Sequence, residues 1–305
     1  TFITCTSTAK QRPEGGWLWK ISGNGLSHPS YLFGTYHGTY DILYQYTDSI
    51  PELHQAFNAC SQFAGESETT SKPTPAQVGA AIKLPKDTTY ADLLNKEDFH
   101  FLDSIVRQSL KSPLNKVYIK PNFLALILGE IEKGKKLVDT GYSQSRIDSM
   151  KSQVMDIALE KKAKEKGLTI VGLEGIFDAF VSEKSNLKKE ADELISDLRE
   201  DDEISPLSFV NTLSDVYRTQ NMKSLIDFEV KVDSIFRTSP KLTEIGKRIR
   251  EDLLKRRNLN WMNKIPELMK AQPTFIAVGV RHLPGKDGLI ALLLEKGYQV
   301  EPIGL

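Results

Sequence analysis

Cysteine is scarce in this chain of 305 residues, which contains only Cys5 and Cys60. Two cysteines cannot form a framework of several disulfides, and neither belongs to a Cys-x-x-Cys metal or redox motif. Cys60 continues a helical stripe of apolar residues, Ile50, Leu53 and Phe57, so we expect a buried thiol that packs as a small apolar side chain. A Cys5–Cys60 disulfide is the alternative in an exported protein. Cysteine chemistry is therefore not expected to be the function.

The chain also lacks an excess of charge of either sign and any long apolar run. Lys+Arg and Asp+Glu number 40 each, so no overall field attracts nucleic acid or an anionic membrane. The longest apolar runs, such as 123–128 and 289–294, are far shorter than the ~20 residues that a membrane-spanning helix needs. With 40% hydrophobic residues the chain can bury a full core. We expect a soluble globular protein with no nucleic-acid partner.

The first residues suggest export. The segment from Thr1 to Cys5 resembles the end of an export signal that leads into a lipobox cysteine. We therefore predict a periplasmic protein, an outer-membrane-attached lipoprotein or a secreted protein, and a lipid anchor would sit at Cys5 in the native protein. Residues 1–16 are expected to form an N-terminal tail.

Familiar catalytic signatures are absent. The chain has no Gly-x-Ser-x-Gly, no His-Glu-x-x-His and no P-loop, and Gly23-Asn-Gly25 lacks the third glycine of a dinucleotide-binding fingerprint. His28, His54 and His100 lie in a turn and at polar helical positions, which is typical of surface residues.

Two short segments near opposite ends of the chain share one pattern. In Tyr31–His37 and in Thr274–His282, an apolar run that predicts a buried strand ends in Gly-x-x-His. With five histidines and 20 glycines, two such motifs arise by chance with a probability of roughly 0.04. Open α/β sheets carry functional residues at strand ends, so we expect His37 and His282 to meet in one site. The alternative is that both glycines merely permit tight turns.

The chain as a whole predicts an α/β fold. The first and last segments repeat the order strand, helix, strand, so we expect a mixed central sheet built from two β-α-β halves. A helical cap, inserted at about 85–165 and 175–272, completes a single domain over 17–305. The predicted strands are 17–22, 31–36, 61–66, 168–174, 274–280 and 298–303.

Two histidines and one carboxylate can form an open metal site, since three protein ligands leave positions for water and substrate. Glu66 is the first candidate because it ends the next predicted strand, and the ends of neighbouring parallel strands lie side by side. Glu68 and Glu174 are reserves. Water on a divalent cation has a pKa lowered toward neutrality, which favours hydrolysis, with Glu66 either a ligand or a general base. Arg257 could place positive charge at an oxyanion, although its own pattern reads as a surface arginine.

These motifs resemble those of the TraB/GumN family, which includes the animal Tiki proteins. Tyr36 departs from that pattern, because the family often has an aliphatic residue there, and Ser67-Glu68 replaces a common apolar-Asp pair. The matching segments follow the family's order over about 17–303: Trp17-Leu-Trp-Lys with Tyr31-Leu-Phe-Gly-Thr-Tyr-His37; Gly65-Glu66-Ser-Glu68; Met155-Asp156 with Gly172-Leu-Glu174; Arg257-Asn258 with Trp261; and Val278-Gly-Val-Arg-His282-Leu-Pro-Gly285.

The resemblance implies a metal-dependent hydrolase fold related to erythromycin esterase and to the ChaN haem-binding proteins. It places His37, Glu66, His282 and Arg257 in the site, with the first three as metal ligands. The implied cofactor is manganese or cobalt, as in the Tiki metalloproteases, and zinc is also compatible. The implied substrate is a peptide or protein. Two alternatives stay open: a haem- or metal-binding protein without turnover, and a metal-independent, esterase-like hydrolase with His37 as general base.

Overall fold

The structure is a computed structural model that describes residues 15–37, 47–48, 50–68, 73–178, 186–199 and 206–304. The chain divides into two compact units. The first comprises residues 1–68, 154–173 and 207–305, and the second comprises residues 69–153 and 174–206. Most of the helices between 207 and 272, which the sequence assigns to a cap insertion, therefore belong to the first unit together with the sheet.

Within the described residues, six strands form one mixed sheet in the first unit, in the order β4-β3-β5-β2-β1-β6. Strand β1 pairs antiparallel with β2 and with β6, whereas β2, β5, β3 and β4 are parallel to one another. The predicted α/β class with a mixed central sheet is confirmed. The strands are β1 (Leu18–Gly23), β2 (Ser30–Thr35), β3 (Gln62–Gly65), β4 (Thr169–Gly172), β5 (Thr274–Gly279) and β6 (Tyr298–Ile303).

Helices make up most of the remaining described chain. Helices α2 to α6 and α8 lie in the second unit, and the others lie in the first, apart from the first residue of α9. A π-helical segment, Ile249–Lys255, joins α11 to α12. The helices are α1 (Pro51–Asn58), α2 (Pro75–Ile82), α3 (Tyr90–Leu93), α4 (Lys96–Leu110), α5 (Pro121–Asp139), α6 (Gln144–Lys151), α7 (Met155–Glu165), α8 (Leu187–Arg199), α9 (Pro206–Arg218), α10 (Met222–Phe236), α11 (Pro240–Arg248), α12 (Arg256–Trp261), α13 (Ile265–Ala271) and α14 (Leu289–Glu295).

Strand β5 lies between β2 and β3, so the two predicted β-α-β segments interleave in one sheet. The expectation that β2 and β3 are direct neighbours is wrong, because β5 from the far end of the chain separates them. Since β5 pairs in parallel with both, the C-terminal ends of all three strands meet at one edge. His37, Glu66 and His282 follow these three ends.

Aromatic rings hold these three strands together. Phe63 of β3 and Phe275 of β5 are direct cross-strand partners, and their rings stack with centroids 6.3 Å apart. Phe57 of α1 meets Phe275 edge-on at 5.1 Å, and Phe33 of β2 lies 6.1 Å from the same ring. All four rings are buried, and each aromatic pair adds about 0.5–1.5 kcal/mol beyond its buried area. This packing therefore supports the register of β3 and β5 near the start of both strands.

A second cluster fastens helix α9 to the end of β2. The indole of Trp17 donates to the backbone carbonyl of Tyr217 at 2.8 Å, and the two rings stack at 5.3 Å. The Tyr217 hydroxyl in turn donates to the carbonyl of Gly34 at 2.7 Å, while Tyr36 packs against the Tyr217 ring at 5.3 Å. Tyr36 therefore has a packing partner at the position where it departs from the family pattern.

The second unit has a hydrophobic core of its own. Helices α4, α5 and α8 contribute the buried side chains of Leu102, Leu124 and Leu194. Thr74 forms a capping box with Gln77 at the start of α2. In the part of the chain that the structure describes, no helix combines the length and apolar character needed to cross a membrane.

Helix α1 begins at Pro51, and the residue at its N-cap is Ile50, which makes no side-chain cap bond. Asp48, two positions before the N-cap, accepts a hydrogen bond from His54 at 3.3 Å. Pro51 at the first helical position has no N–H that needs an acceptor.

The predicted apolar stripe of α1 is confirmed, because Ile50, Leu53, Phe57 and Cys60 are all buried. Cys60 is a free thiol with 7% of its surface exposed. Burial raises the pKa of this thiol to about 12, although Lys166 nearby opposes the rise. The predictions that concern Cys5, namely the lipid anchor, the disulfide and the N-terminal tail up to residue 14, lie outside the described residues.

Iodoacetamide should alkylate Cys60 at least about 100-fold more slowly in the folded protein than in denaturant at pH 8, because only the thiolate reacts. Mass spectrometry of a Cys5→Ser variant measures this rate without a contribution from the other cysteine. Rapid labelling of the native protein would contradict the buried position. In the unsubstituted protein, a Cys60 that stays unlabelled in denaturant until reductant is added would indicate the disulfide instead.

Candidate active site

His37 follows the end of β2 at the edge where β5 also ends. A Cβ on Gly34 would lie 2.9 Å from Cγ2 and 3.1 Å from Cα of Val280, which opens the turn after β5. Gly34 lies outside the left-handed region, and Gly279 has a φ of −51°. The tight-turn interpretation of the two motifs is therefore wrong. Gly34 is needed because Val280 approaches its backbone closely.

His282 is carried by a 3₁₀ turn, Val280–His282, directly after β5. Asn258 of α12 donates its amide hydrogens to the carbonyls of His282 (3.2 Å) and Asp287 (2.8 Å), so its Oδ1 is the acceptor for Nδ1–H of His282 at 2.7 Å. This arrangement places the imidazole proton on Nδ1 and leaves a lone pair on Nε2. The ring centroids of Trp261 and His282 lie 4.5 Å apart, so the indole packs against the imidazole and restricts its rotation.

Glu66 comes immediately after β3 and reaches across to the end of β5. Its Oε1 accepts a hydrogen bond from the backbone N–H of Gly279 at 2.7 Å. Its Oε2 accepts one from Nη2 of Arg257 at 2.5 Å. Charge-assisted bonds of this kind are roughly twice as strong as neutral ones, so the carboxylate is firmly oriented.

The structure brings the four predicted site residues together. Nε2 of His37 lies 3.8 Å and Nε2 of His282 lies 3.7 Å from the same atom, Oε1 of Glu66. Nη1 of Arg257 lies 3.3 Å from Nε2 of His282. Side chains that are more than 240 positions apart in the sequence therefore face one point.

Arg257 is buried, so the surface interpretation of this residue is wrong. It sits in α12 just after the π-helical segment, and its guanidinium lies 4.7 Å over the ring of Trp261. Stacking of a cation on an aromatic ring stabilises it by about 0.5–2 kcal/mol. Trp261 and Glu66 together fix the orientation of the guanidinium. Helical segments with π geometry often occur at functional sites because they re-aim side chains.

The charges of the site are strongly coupled. Burial alone raises the pKa of Glu66, but the neighbouring His37, His282 and Arg257 lower it to about 2. Burial lowers the pKa of His282 to about 3, with Glu66 opposing and Arg257 adding to the shift. Burial also lowers the pKa of His37, yet the carboxylates of Asp156 and Glu66 raise it to about 9. These shifts favour the ionised form of Glu66, the neutral form of His282 and the protonated form of His37.

Asp156 is a site residue to which the sequence assigned no role. It lies in the first turn of α7, and its Oδ1 is 3.1 Å from Nε2 of His37. Thr35, at the end of β2, donates to the same Oδ1 at 2.7 Å and lies 2.9 Å from Nε2 of His37. The available signal was the Met155-Asp156 motif, an acid at the start of a predicted helix.

The reserve acids and the other histidines take different positions. Glu68 is partly exposed and forms an ion pair with Lys164 at 3.4 Å. Glu174 falls in the second compact unit, so any role for it stays a prediction. His28 and His100 are exposed, and half-exposed His54 pairs with Asp48, as expected for surface residues.

Gly279 leaves a space between the converging side chains. A Cβ at this position would lie 3.2 Å from Oε1 of Glu66, 3.5 Å from Nε2 of His37 and 3.6 Å from Cδ2 of His282. We call this space the glycine hollow. Imidazole nitrogens and carboxylate oxygens around such a hollow suit manganese, cobalt or zinc.

The donors are not preassembled at bonding distance. Within the described residues, no three His, Cys, Asp or Glu side chains approach closely enough to hold a metal ion as they stand. The residue types and the hollow nevertheless fit a divalent cation, which His37, Glu66 and His282 would hold.

Comparison with known protein families matches residues 17–302 to the TraB/PrgY/gumN family. The chain belongs to this family. The match covers nearly the whole chain and includes every element that contributes to the site, from β2 to the turn after β5. No curated protein and no solved structure matches the chain.

A Gly279→Ala substitution should fill the glycine hollow without straining the backbone, since φ is negative there. We expect the melting temperature to stay within a few degrees and the affinity for Mn²⁺ to fall at least about 10-fold, as for other displaced metal ligands. Equilibrium dialysis measures the affinity. Gly129→Ala is the matched control, because a Cβ at Gly129 meets nothing within 4 Å. Unchanged Mn²⁺ affinity in Gly279→Ala would show that the hollow does not receive the ion.

Proposed function

We propose that the protein is a metal-dependent hydrolase that cleaves peptide bonds. The observation that carries the proposal is the approach of two imidazole Nε2 atoms to a single carboxylate oxygen, Oε1 of Glu66, at 3.8 and 3.7 Å beside the glycine hollow. Two histidines and a carboxylate form a three-ligand set that leaves positions for water and substrate.

The surrounding residues support binding of a cation. The hydrogen bond to Asn258 leaves Nε2 of His282 without a proton, as a metal ligand requires. Glu66 is ionised, and its oxygen faces both rings. In this proposal His37, Glu66 and His282 are the ligands, and the ion is manganese, cobalt or zinc. When bound, such a cation polarises a carbonyl oxygen and lowers the pKa of its water.

Arg257 supplies fixed positive charge beside the ligands. Its guanidinium is anchored by Glu66 and Trp261, so little reorganisation is needed when negative charge develops on an attacked carbonyl oxygen. Its position 3.3 Å from Nε2 of His282 puts that charge next to the reacting groups. We assign Arg257 the role of stabilising the oxyanion.

The substrate class and the cellular location are proposed from the family and from the first residues of the chain. Family membership supports kinship with the Tiki proteins, whose resemblance to metalloproteases suggests a peptide or protein substrate. Export, with attachment at Cys5 or release from the cell, is proposed from the first five residues. Both are consistent with the proposed chemistry, since a hydrolytic site needs only water as co-reactant.

A metal-independent relay has weaker support. In a nucleophile–His–Asp relay the nucleophile and the acid bond to different nitrogens of the imidazole. Here Thr35 and Asp156 both contact Nε2 of His37, and the Thr35 hydroxyl donates to Asp156 rather than to the ring. Thr35 is therefore not placed as an activated nucleophile.

Three single substitutions should each lower peptide cleavage at least about 100-fold: His37→Ala, Glu66→Gln and His282→Ala. These groups act as a unit, so the loss of any one of them removes most of the activity. Cleavage of a peptide library with added Mn²⁺, followed by mass spectrometry, measures the effect. His54→Ala and Glu68→Gln are the matched controls and should cleave like the unsubstituted protein.

Metal removal tests the same proposal independently. Dialysis against a chelator should abolish cleavage, and Mn²⁺ or Co²⁺ should restore it. An active preparation in which elemental analysis finds no bound cation would overturn the mechanism. Haem that binds with a Soret band, in a preparation without cleavage under any metal, would favour the binding protein instead.

A further inference from the structure

Asp156 presents one oxygen to the site in a fixed position. Oδ1 accepts the Thr35 hydroxyl at 2.7 Å and lies 3.1 Å from Nε2 of His37. Thr35 ends β2 and is itself fully buried, so the carboxylate is tied to the same strand end that carries His37. The side chain of Asp156 is only 19% exposed.

The second oxygen of Asp156 is unusual. Within the described residues, Oδ2 is buried and has no hydrogen-bond partner. Most buried carboxylate oxygens do have a partner, because leaving one unpaired carries the full desolvation cost of that atom. Glu66, in contrast, has a donor on each of its two oxygens. The coordination of Asp156 is therefore incomplete.

The charge of Asp156 is also incompletely balanced. Glu66 faces the permanent cation of Arg257, whereas the described residues provide Asp156 with no lysine or arginine ion pair. Removing a carboxylate oxygen from water without a permanent cation nearby is costly. A divalent ion beside His37 would remove that cost.

The spacing of Asp156 and His37 fits ligands of one ion. Two atoms bound at about 2.1 Å to one cation lie about 3.0 Å apart at a right angle and about 3.4 Å apart at the tetrahedral angle. The observed separation of Oδ1 and Nε2 is 3.1 Å. The corresponding distances to Glu66 are longer, at 3.7 and 3.8 Å.

We propose that Asp156 is a further ligand of the divalent cation, adjacent to His37, and that Thr35 is the positioning residue that orients it. The inference rests on the proposed metal-dependent function, because it adds a fourth protein ligand to His37, Glu66 and His282. Two carboxylates and two imidazoles balance a divalent charge and favour hard ions such as Mn²⁺.

The test measures binding of Mn²⁺ alone to the full chain by equilibrium dialysis and by the loss of the free Mn²⁺ signal in electron paramagnetic resonance. Asp156→Asn keeps the shape but removes the charge, and we expect at least about 10-fold weaker binding. Asp48→Asn is the matched control, since Asp48 also pairs with a histidine but is exposed. Thr35→Val, which removes the hydroxyl that holds Oδ1, should weaken binding by a smaller factor.

The outcomes separate this inference from the proposed function. If the unsubstituted protein binds Mn²⁺ and a folded Asp156→Asn protein binds it equally well, Asp156 is not a ligand, while the metal-dependent function stands. If Asp156→Asn does not fold, unchanged affinity in Thr35→Val overturns the proposal. If the unsubstituted protein binds no Mn²⁺, Co²⁺ or Zn²⁺, the proposed metal-dependent function is itself contradicted, and the inference about Asp156 is overturned with it.

Discussion

The site depends on one contact, the hydrogen bond from the backbone N–H of Gly279 to Oε1 of Glu66. It joins the end of β5 to the residue after β3, and Arg257 secures the other carboxylate oxygen from helix α12. The two histidines then approach the same oxygen from the turns after β2 and β5. Without this bond, the carboxylate would lose its orientation, and the side chains that follow the three strand ends would no longer meet at one oxygen atom.

Two glycines, Gly279 and Gly34, leave room for the groups around this contact. At Gly279 the missing side chain leaves room between the carboxylate and the imidazoles, and at Gly34 it allows the turn that starts at Val280 to approach β2. Both halves of the repeated Gly-x-x-His motif therefore serve spatial needs rather than backbone flexibility. The aromatic cluster of Phe63, Phe275 and Phe57 supports the pairing of β3 and β5 near the start of both strands.

Much of this arrangement could be predicted because strand ends follow from local patterns. The apolar runs before His37, Glu66 and His282 identified the strands, and the parallel geometry predicted their convergence. The insertion of β5 between β2 and β3 could not be predicted, because strand order depends on pairing between distant segments. The local pattern of Arg257 by itself indicated a surface residue, because the π-helical segment before it changes which side chains face inward and a 3.6-residue period does not describe such a segment. Asp156 and Asn258 act through contacts from separate helices that no local spacing reveals.

The central position of β5 has a consequence for biosynthesis. Its residues must enter the sheet between two strands that are made more than 200 residues earlier. Pairing over such separations is slow, because a long loop must close before any contact compensates for the lost entropy. A nascent chain that stops before Gly279 lacks the amide that orients Glu66, as well as His282. The four side chains can therefore converge only after β5 and the turn that follows it have been synthesised.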